Sequence, residues 1–78
     1  MAQVTSVMTA SPSCCREDTP LRDVAQLMID HDCGMIPVVD ADGRPVGAVT
    51  DRDIAVRIVA RGKDASSSRA GDAMTSPV

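Results

Sequence analysis

The sequence predicts an α+β fold, a small three-stranded sheet with two helices on one face. Three observations lead there. Leu21, Val24, Ala25 and Met28 recur at helical spacing behind a Thr-Pro start. Two apolar runs, 35–40 and 45–50, flank an Asp-Gly pair, the signal of an antiparallel hairpin. The second run leads straight into Thr50-Asp51-Arg52-Asp53, a capping-box pattern with Asp in place of Glu.

Residues 4–9 read as a short extended entry broken by Ala10-Ser11-Pro12, and residues 13–16 as a brief first strand. Thr19 is expected as N-cap of the first helix, with Pro20 at the first helical position, where its missing N–H is harmless. Leu27 and Ile29 widen the apolar face, Asp23, Gln26 and Asp30 mark the polar one, and Gly34 is expected as the left-handed cap. In the strand over 35–40, Pro37 lacks a backbone donor and demands a free edge or a bulge. Residues 41–44 form a tight turn, and 45–50 return antiparallel. Ile54, Ala55, Ile58 and Val59 should be the buried face of the second helix, which Gly62 closes. Residues 63–69, with three serines in a row, read as a polar linker. The tail then repeats the head: Val7-Met8-Thr9-Ala10-Ser11-Pro12 returns as Ala73-Met74-Thr75-Ser76-Pro77, one residue shorter. The organisation expected is a unit over 1–62, a linker over 63–69, and over 70–78 the first residues of a second copy, cut short.

Composition narrows the function classes. A chain of 78 residues is one small domain; such a domain buries only roughly 60% of its unfolded surface, so association is a common remedy. There is no Phe, Tyr or Trp, which removes any aromatic platform for stacking bases. The net charge of −3 supplies no basic groove, so nucleic acid is not an expected partner. No apolar run approaches the ~20 residues of a membrane span, and no signal-peptide pattern opens the sequence; a cytoplasmic protein is expected. Cys14, Cys15 and Cys33 are odd in number and lack metal-type spacing. They read as small apolar fillers, with a redox role or a Cys–His31 metal site as the alternatives; zinc would want about four ligands. Asp30, Asp32, Asp40 and Asp42 around His31 read as a solvated rim, and no nucleophile–base pair suggests an enzyme.

The chemistry concentrates at residues 47–53, where an apolar strand turns into a helix. A carboxylate such as Asp53 can accept from the two hydroxyls of a ribose. The hydroxyl of Thr50, the cation of Arg52 and the amides of a helix start suit phosphate. Each residue has a plainer alternative: Thr50 and Asp53 as helix caps, Arg52 as a solvated side chain. Met8, Met28, Met35 and Met74 read as core fillers.

In order and spacing, Val7-Met8-Thr9 with Pro12, the helix beginning at Pro20, Ile36-Pro37-Val38-Val39-Asp40, Gly43 and residues 47–53 resemble one CBS motif, the unit that pairs into a Bateman module. The resemblance covers residues 4–62 and resumes at 70–78. It implies two motifs packed sheet to sheet about a pseudo-two-fold axis, with adenosine compounds held in the clefts between them. It implies that Asp53 takes the ribose, Thr50 the ribose or phosphate, and Arg52 phosphate. Ile36 and Pro37 would line the adenine slot, and Thr9 and Pro12 would help to close the cleft. A lone motif has half a cleft, so a homodimer through the sheet faces, or a longer two-motif chain, is expected.

The leading expectation is therefore a regulatory adenine-nucleotide sensor, not an enzyme. It has no obligatory cofactor; its regulatory ligand would be AMP, ADP, ATP or S-adenosylmethionine. The alternatives are a dimerisation module with no ligand and a cysteine-based redox-responsive regulator.

Overall fold

The computed structural model describes residues 14–76. The elements run α1 (Leu21–His31), β1 (Met35–Val39), β2 (Pro45–Thr50), α2 (Asp51–Asp53) continuing as a π-helical segment (Ile54–Val59), a 3-10 turn (Ala65–Ser67) and α3 (Ala70–Ala73). The α+β class predicted from the sequence is what forms, with one correction: the sheet has two strands, not three. The expected first strand shrinks to a single parallel bridge between Cys15 and Val38.

That bridge explains how Pro37 is tolerated. Cys15 donates to the Pro37 carbonyl (2.9 Å) and accepts from Val39 (2.8 Å). A parallel bridge centred on Val38 uses only the carbonyl of residue 37, so the missing N–H breaks nothing. The hairpin itself has Ile36 opposite Val49, Pro37 opposite Ala48 and Val38 opposite Gly47, with a register irregularity between Val38 and Val39. Its turn is set by Asp40, whose Oδ1 accepts from the amides of Asp42 and Arg44 (both 2.9 Å). Gly43 supplies the positive φ of +82° that closes it.

Strand alternation sorts the two faces. Ile36, Val38 and Val49 are fully buried and join Leu21 and Val24 of α1, Ile58, Cys15, Ala70 and Ala73 in one core. The helices therefore cover one face, as expected. Met35, Pro37 and Val39 turn to the other, opposite Thr50 and Ala48, and none of them is fully buried.

Three local expectations are corrected. Pro20, with extended φ/ψ of −55° and 137°, is itself the N-cap of α1. Thr19 instead accepts from the Arg16 amide through its hydroxyl (2.9 Å). The first helical amide, Leu21, donates to the Ser68 carbonyl (2.9 Å), so a distant main-chain carbonyl does what a side-chain cap was expected to do. At the other end Asp32, not Gly34, holds the left-handed position (φ 49°); a short polar side chain is among the few that tolerate it.

The second helix buries less than predicted. Its i→i+5 bonding, seen in Ala60 N–H to Ala55 O and Lys63 N–H to Ile58 O (both 2.9 Å), widens the turn. Only Ile58 is fully buried, Ile54 is partly so, and Ala55 and Val59 are exposed. Four-residue stacking no longer holds those two side chains over the sheet.

The polar stretch after Gly62 is anchored rather than loose. Asp64 caps the 3-10 turn by accepting from Ser66 through Oδ1 (2.9 Å), and the Ser68 hydroxyl, on a buried residue, donates to the Asp64 carbonyl (2.8 Å). Ala70 and Ala73 of α3 then enter the core.

Candidate functional site

The strand-to-helix corner is fixed by reciprocal capping. The Asp53 amide donates to Thr50 Oγ1 (3.0 Å), and the Thr50 amide donates to Asp53 Oδ2 (3.0 Å). This satisfies two amides that the helix start leaves without partners. The box uses one carboxylate oxygen and leaves Oδ1 facing the chain's tail.

Residues 74–76 lie along the outer edge of β2. Ala48 donates to the Thr75 carbonyl (3.0 Å), and Thr75 donates back to the Ala48 carbonyl (2.9 Å). The Thr75 hydroxyl donates to Asp53 Oδ1 (3.2 Å). Arg57, one helical turn beyond Asp53, donates through a terminal nitrogen to the Met74 carbonyl (3.1 Å) and brings its Nε to 3.8 Å from Asp53 Oδ1. The approach depends on Gly47: a Cβ there would stand 2.8 Å from the Thr75 carbonyl oxygen.

These elements enclose a cleft of about 500 Å³ lined by Pro45, Gly47, Ala48, Thr50, Asp53, Thr75 and Ser76. Its polar floor is a carboxylate flanked by two threonine hydroxyls. Its rim continues onto the outward face of the sheet at Ala48, beside Pro37.

Burial pushes the Asp53 carboxyl up, but its contacts with Thr50 and Thr75 and the Arg57 charge outweigh that and hold it below its ordinary value of 3.8. A carboxyl with a lowered pKa in the folded state stabilises the fold at pH values above its unfolded pKa. That contribution is lost as pH falls through the folded pKa. The thermal midpoint of the wild type should therefore fall more steeply below about pH 4 than that of Asp53→Asn, the two converging in acid. Melting curves from pH 7 to pH 3 test this; parallel pH profiles would exclude a stabilising role for the Asp53 charge.

The sequence-predicted site residues fall in different places. Thr50 and Asp53 meet in the cleft. Arg52 is exposed on the first turn, outside the lining, its amide held by Asp51 Oδ1 (2.8 Å). Ile36 is fully buried in the core, and Pro37 is half-buried on the outward sheet face; neither lines this cleft. Thr9 and Pro12 lie outside the described residues. Thr75, Ser76 and Arg57 were not anticipated. The signal for Thr75 was the head-to-tail repeat, which makes it the counterpart of Thr9.

Cys15 is buried, and burial, with Cys14 beside it, pushes its thiol up to about 11; at neutral pH it is a protonated core side chain, not a thiolate. Exposed Cys33 donates weakly to the Met35 carbonyl (3.5 Å). Among the described residues, no group of three or more His, Cys, Asp and Glu side chains is placed to hold a metal ion. No helix among them is long and apolar enough to cross a membrane.

Known proteins share this arrangement. The chain is 36% identical over 72 residues to hypoxic response protein 1 of Mycobacterium tuberculosis, a match covering 92% of this chain and 50% of that protein. It is 39% identical over 64 residues to the CBS domain-containing protein YhcV of Bacillus subtilis, covering 82% and 45%. The crystal structure of hypoxic response protein 1, which holds two coordinated zinc ions, superposes with a TM-score of 0.77 at 37% identity over 86% of this chain and 56% of that one. A Burkholderia ambifaria protein with CBS domains, assigned to signal transduction, gives 0.79 at 28% identity over 87% and 49%. The chain thus spans about half the length of the relatives it matches. The model of the CBS domain matches residues 4–60, and with the hairpin, the capped corner and the flanking helices in place, this chain belongs to the CBS domain family.

Proposed function

We propose that the chain is one half of a regulatory module that senses an adenosine compound at the Thr50–Asp53 corner. The observation that carries this reading is the cleft itself. Its volume of about 500 Å³ is in the range of small-molecule sites. Its lining includes the Asp53 carboxylate, the group a ribose needs. Arg52, exposed on the same turn, is the cation assigned to phosphate. AMP, ADP, ATP and S-adenosylmethionine are the ligands to be tried.

A second motif, further along a longer chain or in another copy, completes the site by laying its sheet on the outward face of β1 and β2. Met35, Pro37, Val39 and Ala48 make that face apolar, with Met35 52% exposed. Removing such surface from water favours association. Activity at a cytoplasmic location and control of a partner protein belong to the same proposal.

Calorimetric titration tests it. The wild type should bind at least one of the four compounds more tightly than ~1 mM. Asp53→Asn, which keeps an acceptor for the Thr50 amide, should bind that compound about 10–100-fold more weakly, the loss expected for a charged hydrogen bond. No binding by the wild type would leave the second reading, a purely structural pairing domain. The apolar sheet face favours that reading equally, and it predicts a dimer whose thermal stability no nucleotide changes.

A further inference from the structure

We infer that Thr75 is a specificity-determining residue of this cleft, selecting a vicinal diol, and that Arg57 is the positioning residue that holds it there. This rests on the nucleotide reading above and adds to it a residue outside the matched motif.

The hydrogen-bond inventory of the floor leads to it. The Thr75 hydroxyl gives its proton to Asp53 Oδ1 at 3.2 Å. A hydroxyl that has donated keeps two lone pairs and can only accept. The ionised Asp53 carboxylate likewise only accepts. Two acceptor groups therefore lie side by side, both lining the cleft. Such a pair matches a ligand carrying two adjacent O–H donors, one for the carboxylate and one for Thr75. A ribose offers that pair, and a 2′-deoxyribose lacks one member.

Thr75 is exposed, so packing does not hold it. Polar contacts do. Its main chain is bonded in both directions to Ala48, and the preceding carbonyl, of Met74, accepts from Arg57. Arg57 simultaneously turns its Nε toward Asp53, tying the tail and the carboxylate to one guanidinium. Gly47 has no side chain to keep the tail away. An exposed hydroxyl fixed by this many contacts is pre-organised, which lowers the cost of using it on a ligand.

Titration of AMP and 2′-deoxy-AMP into the wild type, Thr75→Val, Thr75→Ser and Arg57→Met tests the inference. Valine keeps the shape and the strand pairing, and serine restores the hydroxyl. The wild type should prefer AMP. Thr75→Val should cut that preference about 5–10-fold, the worth of one neutral hydrogen bond, and Thr75→Ser should recover it. Arg57→Met should reduce the preference while the Thr75 hydroxyl is still present. Unchanged preference in Thr75→Val, or no recovery in Thr75→Ser, would overturn the role of Thr75 and leave the nucleotide site standing. Unchanged preference in Arg57→Met would remove the positioning role. A wild type that binds neither nucleotide overturns both the inference and the reading beneath it.

Discussion

Gly47→Ala should lift residues 74–76 off β2. The new methyl carbon would stand 2.8 Å from the Thr75 carbonyl oxygen, 3.1 Å from Met74 Sδ and 3.5 Å from Ser76 Cα. The methionine can swing aside. The carbonyl cannot, because it accepts the Ala48 amide, so the clash is resolved by moving the tail. The two main-chain bonds to Ala48, the Thr75–Asp53 bond and the Arg57–Met74 bond depend on that seating. Inserting a carbon into a filled space costs about 1–3 kcal/mol. A domain of this size loses about 4–8 °C per kcal/mol, so the thermal midpoint should drop by several degrees or more. Amide hydrogen exchange gives the sharper readout. The amides of Ala48 and Thr75 should lose protection while those of α1 keep theirs. Unchanged protection at both would mean that the tail is held by something other than this close approach.

Ile58→Ala should cost more. Ile58 is the one fully buried side chain of the π-helical segment, and it joins that segment to Val49, Ala70 and Ala73 in the core. Truncation of a buried isoleucine to alanine removes about 2–5 kcal/mol. At roughly 0.05–0.15 kcal/mol per residue, the stability of the domain is on the order of 4–12 kcal/mol, so the variant should lose a large share of it and unfold at a clearly lower urea concentration than the wild type. Val59→Ala is the control: Val59 is 64% exposed, and its loss should stay within about 0.5 kcal/mol. Urea denaturation of the three proteins decides. Equal midpoints for the two variants would show that both residues are equally covered in solution, as helix-mediated association would produce.

What the sequence made legible was local. The hairpin could be read because Asp40, Asp42 and Gly43 build the turn from their own side chains and φ angles. The capping box at Thr50 and Asp53 was readable because both partners lie within four residues. What was illegible was tertiary. Nothing near Pro20 says that the Ser68 carbonyl will meet the first amide of α1 and make the Thr19 cap unnecessary. The helical spacing after Asp53 could not show a widened turn that leaves Ala55 and Val59 outside. At the site, the same division holds. Thr50 and Asp53 came from a contiguous motif, whereas Thr75 reaches Asp53 across 22 positions and left only a repeated Met-Thr pair as its trace.

The pairing of Thr75 with Ala48 has a bearing on solubility. A two-stranded ribbon has two raw edges, and raw edges recruit other chains. Here Cys15 blunts one and Thr75 the other. Cleaving or trimming the protein just after residue 60, where the matched motif stops, would strip Ala70 and Ala73 from the interior and uncover the outer edge of β2 at Ala48. Such a fragment should aggregate more readily than the whole chain, because the Ala48 amide and carbonyl that Thr75 now occupies would be open to another strand.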